Sequence, residues 1–148
     1  MQIRKILVPI DFSSEGERAM KGVAELAAAV RAKVILLHVV ENVGAPPVGG
    51  TFPPPALLPG TREELALAQK QLAERRARFP AGVEVQVEAV VGPSVAHTIN
   101  DYALEKGCDV IALSTHGRTG FRRMLVGSIA EAVLRGASVP VLAFPRQA

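Results

Sequence analysis

The sequence predicts an α/β fold, an open doubly wound five-stranded parallel sheet in the order 3-2-1-4-5 with helices on both faces. Three observations predict it. Short aliphatic runs alternate with longer stretches of helical spacing along the whole chain. Most of those runs are apolar throughout, as strands buried on both faces must be. One run, Val83-Glu84-Val85-Gln86-Val87-Glu88, instead alternates strictly and so marks a strand with one wet face, at an edge of the sheet.

Ile6–Ile10 is the first strand and ends at Asp11. Ser14 and Glu17 have the spacing of a capping box, and Met20, Val23, Ala24, Ala27 and Val30 follow on one helical face. Val34–Val40 is the second strand, which makes a right-handed strand–helix–strand unit. Residues 41–61 carry six prolines and four glycines with no periodicity, a surface loop or a lid over a ligand. Leu65, Ala68, Leu72 and Phe79 mark the next helix, and Arg75-Arg76-Ala77-Arg78 reads as its solvated C-terminal end. After the alternating strand, Gly92-Pro93-Ser94 turns into a helix carrying Val95, Ile99, Tyr102 and Ala103. Val110–Leu113 is the fourth strand. Ser128 and Glu131 repeat the capping-box spacing, and Gly136 reads as the C′ glycine of the last helix. Val139–Phe144 is the fifth strand, an apolar edge that Pro140 blunts only in part, which predicts its pairing in a homodimer.

A length of 148 residues suits one domain spanning 1–148. Hydrophobic residues make up 49% and aromatic residues 4%, so the core is built from aliphatic side chains. A net charge of +3 and basic clusters with few aromatics argue against a nucleic-acid partner. The lone cysteine, Cys108, excludes an internal disulfide. No stretch approaches the roughly eighteen apolar residues of a membrane span. A strand starting within a few residues of Met1 leaves no room for a signal peptide before it, and a cytoplasmic protein is expected.

Ligands of open parallel sheets sit beyond the strand carboxyl ends, where the winding direction reverses. In the predicted order that point brings Asp11 opposite Ser114-Thr115-His116-Gly117. Gly117 can take positive φ and let an anion approach backbone amides. Gly127 and Ser128 precede a helix whose first N–H groups lack partners and carry the positive end of its dipole. Residues 114–128 taken alone suit a phosphate cradle and a plain strand-to-helix connector equally well. They contain no lysine, so they form no P-loop, and no Gly-x-Gly-x-x-Gly follows the first strand. His38, His97 and His116 are scattered and give no zinc signature; His38 reads as a core residue. No nucleophile–base pair is evident, and no metal site or catalytic residue is assigned.

Four stretches carry a family resemblance. They are Lys5–Ser13, Leu36-Leu37-His38-Val39-Val40, Ser138-Val139-Pro140-Val141-Leu142, and the spacing Gly-x2-Gly-x9-Gly-Ser/Thr, which Gly117, Gly127 and Ser128 match. The chain resembles the universal stress proteins, with Ser114 standing where the motif has its first glycine. The resemblance implies ATP as the ligand, with any Mg2+ carried on its phosphates. It implies Asp11 at the ribose or phosphates, Ile10 and Val39 around the adenine, Leu113 on the adenine or ribose side, and Pro9 among the nucleotide-binding residues. Gly117, Gly127, Ser128 and Ile129 would present amides to the phosphates, with Ser114, His116 and Arg118 in the same loop. Dimerisation through Val139–Phe144 is also implied, as is a stress-response role exerted through nucleotide-dependent conformation or a protein partner. Two alternatives stand beside it: a slow ATPase or nucleotidyl-transfer enzyme, and a dimeric interaction module that binds no nucleotide.

Overall fold

Strands β1 (Lys5–Pro9), β2 (Lys33–Glu41), β3 (Val85–Gly92), β4 (Val110–Ser114) and β5 (Val141–Phe144) alternate with four helices. These are α1 (Ser14–Val30), α2 (Thr61–Arg76), α3 (Val95–Glu105) and α4 (Ser128–Gly136). The structure is a computed structural model and describes residues 1–42, 57–116 and 126–145. Most of the proline-rich 41–61 segment lies outside the described residues.

All strand pairs are parallel, in the order β3-β2-β1-β4-β5, as the pattern predicts. Alternate residues of each central strand serve opposite faces. Ile6, Val8, Val34, Leu36, Val110 and Ala112 pack with Met20, Val23 and Ala27 of α1 and Leu72 of α2. Leu7, Ile35, Leu37, Ile111 and Leu113 pack with Ile99, Tyr102 and Ala103 of α3 and Ala130 and Val133 of α4. Two separate cores, one per face, are why these runs are aliphatic at nearly every position, His38 excepted.

Local details differ from the sequence expectations in six places. The cap of α1 is Ser13, not Ser14: its Oγ accepts from the Gly16 N–H at 3.2 Å. Phe12 takes φ 62°, the left-handed region, so Ser13 is still extended when the helix begins. Helix α4 is likewise capped by Gly127, with no side-chain cap, and Ser128 is already helical. Gly136 is the last residue of α4 rather than a left-handed C′ residue. Its absent side chain serves helix contact, because a Cβ there would stand 2.7 Å from Asn100 Nδ2 on α3. Strand β5 begins at Val141, not Val139; Pro140 lacks an N–H and contributes only its carbonyl, which accepts from Ile111 N at 3.0 Å. Strand β3 lies at the predicted edge but runs on to Gly92.

The sixth difference is Arg75. Arg76 and Arg78 are exposed, as a solvated helix end requires. Arg75, however, lies on the same face as Ala68 and Leu72 and is buried, with 8% of its surface exposed. Its guanidinium donates to Glu17 Oε1 on α1 at 2.9 Å.

Candidate functional site

A cleft of about 220 Å³ opens where β1 and β4 diverge. β1 pairs with β2 only as far as Pro9 and Leu37, whereas β2 continues along β3 to Glu41. The β1-facing side of β2 is therefore uncovered beyond Leu37, and α1 and α4 leave toward opposite faces. This is the reversal point at which open α/β sheets hold ligands.

Pro9, Ile10, Asp11, Val39, Leu113, Ser114, His116, Gly127, Ser128 and Ile129 all line this cleft. Gly117 and Arg118 lie outside the described residues. Thr115, which the strand order already put opposite Asp11, lines it too; Gly16, His38, Val95, Ile99, Ala130 and Val133 also line it and were not anticipated. Val95 and Ile99 stand four apart on α3, a spacing that already placed them on one face but read only as core.

The cleft has an apolar wall and a polar end. Val39, Leu113, Ile99, Ala130 and Val133 are buried and form the wall. At the other end, Asp11 Oδ1 accepts from Ser13 N at 3.0 Å and Ser13 Oγ at 2.6 Å, so its carboxylate is fixed against the start of α1. Gly16 allows that approach, since a Cβ on it would sit 3.2 Å from Asp11 Oδ1.

Facing Asp11, the end of β4 is tied in three directions. Thr115 N donates to Phe144 O at 3.0 Å, extending the ladder to β5. Thr115 O accepts from Gly127 N, which brings the start of α4 to the end of β4. Ser114 Oγ donates to His116 O at 2.8 Å and accepts from His116 N at 3.3 Å. The serine that stands in place of a glycine thus spends its hydroxyl on its own turn. Thr115 Oγ1 and His116 Nδ1 are 3.0 Å apart and hydrogen-bonded.

His38 is only half-buried, contrary to its reading as core, but it is satisfied: its Nδ1–H donates to Ile10 O at 2.7 Å. Its ring also contacts Phe12, with centroids 4.5 Å apart.

The helix N-termini differ in what they offer. Those of α1 and α3 are occupied, by Ser13 and by Ser94 with the Glu41 carboxylate 3.3 Å from Val95 N. Among the described residues neither α2 nor α4 has a side-chain cap, and of these two only α4 starts in the cleft. Its first-turn N–H groups have no intrahelical partners and the dipole is positive there, so they suit an anion. Among the described residues no group of three or more His, Cys, Asp and Glu is placed to hold a metal ion. The shifted acids all lie away from the cleft. Burial raises the Tyr102 phenol and the Cys108 thiol, and the Arg4 backbone N–H lowers Asp109.

The geometry defines a parallel α/β protein with a cleft at its switch point, apolar on one side and bordered by a helix N-terminus on the other. The universal stress protein family model matches residues 2–145, and the chain belongs to that family. Universal stress protein MJ0531 of Methanocaldococcus jannaschii is 33% identical over 142 residues, 94% of this chain and 80% of the relative. The structure of MJ0577, a universal stress protein of the same organism, matches with TM-score 0.79 at 26% identity, covering 99% of each chain. A universal stress protein in complex with cAMP shares the fold with TM-score 0.68 at 20% identity, covering 98% of each chain. Among the described residues no helix is long and apolar enough to cross a membrane.

Proposed function

We propose that this stress-family protein binds ATP in the cleft and works through nucleotide-dependent conformation or partner binding. The observation that carries the proposal is the uncapped N-terminus of α4, set across the cleft from Asp11 and beside an aliphatic wall. Adenine would pack against Ile10, Val39 and Leu113, which line the cleft with Pro9 at the strand end. Asp11, which lines the cleft, would accept from a ribose hydroxyl. The Gly127 N–H is taken by Thr115 O, so the amides of Ser128 and Ile129, the Ser128 hydroxyl, and Gly117 and Arg118 of the same loop would receive the phosphates, with Gly127 allowing their close approach and His116 alongside. Any Mg2+ would be held through the phosphates. The cAMP complex of a protein with the same fold supports an adenine nucleotide by analogy only.

The exposed β5 edge, with Leu142 outermost, supports a homodimer through this strand. Mass spectrometry of small molecules released from gently purified protein tests the ligand. Adenine nucleotide at near one per chain is the expected result. Protein that neither carries nor takes up nucleotide would favour the pure interaction module.

A further inference from the structure

We infer that Arg75, which does not line the cleft, is a positioning residue for the Asp11 turn; the inference rests on the proposed nucleotide site. Asp11 is followed by Phe12 at φ 62°, a conformation that an aromatic residue holds only when its surroundings enforce it. The Phe12 ring contacts two groups from other elements. The Arg75 guanidinium of α2 lies over it, 4.8 Å from the centroid, and the His38 ring of β2 is 4.5 Å away. His38 also holds the Ile10 carbonyl, so the residues on both sides of Asp11 are fixed by one cluster.

Arg75 is itself held. It donates to Gln71 O at 3.1 Å and to Glu17 Oε1 at 2.9 Å, and Arg78 meets the same carboxylate oxygen at 3.2 Å. Its Nε finds no acceptor among the described residues. A buried guanidinium with an unsatisfied N–H is a poor way merely to fill space; leucine or methionine would fill it without that penalty. The planar cation over the ring supplies direction, which an aliphatic chain lacks. Helix α2, on the sheet face it shares with α1, thereby sets the turn that presents the carboxylate.

The test is Arg75→Met, read by amide hydrogen exchange without nucleotide and by ATP and adenosine titration. The expected result is exchange at least tenfold faster at Ser13 and Gly16, with Val8 and Leu36 unchanged. Affinity for both ligands should fall at least tenfold, and this loss should vanish in an Asp11→Ala background, because Arg75 acts through that turn. A lower melting temperature with unchanged exchange and unchanged affinity would overturn the assignment and leave Arg75 as packing. Glu17→Gln, at a more exposed position, should shift both readouts in the same direction if Arg75→Met does not fold; no shift there overturns it equally. Wild-type protein that binds neither ligand defeats the nucleotide site, and the exchange readout then decides the role of Arg75 by itself.

Discussion

Ser114→Gly restores the glycine of the family spacing and removes a hydroxyl that makes two hydrogen bonds to the His116 backbone. The shorter bond, 2.8 Å, and the longer, 3.3 Å, are together worth about 1.5 kcal/mol at ordinary net values. Glycine at the end of a strand adds roughly 0.5–1 kcal/mol of backbone entropy to be lost on folding. The sum, about 2 kcal/mol, corresponds to a melting temperature lower by about 4–8 °C for a chain of 148 residues. Because the hydroxyl faces its own turn, ATP affinity should change less than about threefold (under ~0.7 kcal/mol). Calorimetric melting paired with ATP titration reads both quantities. An unchanged melting temperature would show that the staple does not form. Binding tightened more than tenfold would show that the serine obstructs the ligand.

Two further outcomes follow from other parts of the molecule. Leu142→Lys places a charge on the exposed β5 edge and should convert a dimer to a monomer in light scattering; wild-type protein already monomeric would remove the proposed interface. Burial, then the charge of Glu88, raises the Tyr102 phenol, so the folded state keeps a proton that the unfolded chain releases above about pH 10. Stability is therefore lost as pH rises past that value, and Tyr102→Phe should lose less between pH 8 and 11 in urea unfolding. Equal losses in both proteins would contradict the assignment.

How far the sequence could be read depended on the range of each interaction. Strand identity and order were legible because burial on both faces leaves an aliphatic run, and the Val83–Glu88 alternation marks an edge. The convergence of Asp11 with Ser114 and Gly127 followed from that order together with the strand-end rule. Arg75 was misread because its partner Glu17 lies 58 positions away, and nothing local distinguishes it from Arg76. The cap at Ser13 rather than Ser14 depends on the left-handed turn at Phe12, which the distant Arg75 and His38 enforce. The need for Gly136 comes from Asn100 on another helix, so it imitates a helix stop in one dimension.

The central claim is that the open N-terminus of α4, facing Asp11, holds the phosphates of ATP. Titration calorimetry with ATP and Mg2+, on nucleotide-stripped wild type and on Gly127→Val, tests it most directly. One ATP per wild-type chain, with affinity at least tenfold weaker in Gly127→Val, is the predicted result. Equal affinity in the two proteins, or no binding to either, would contradict it.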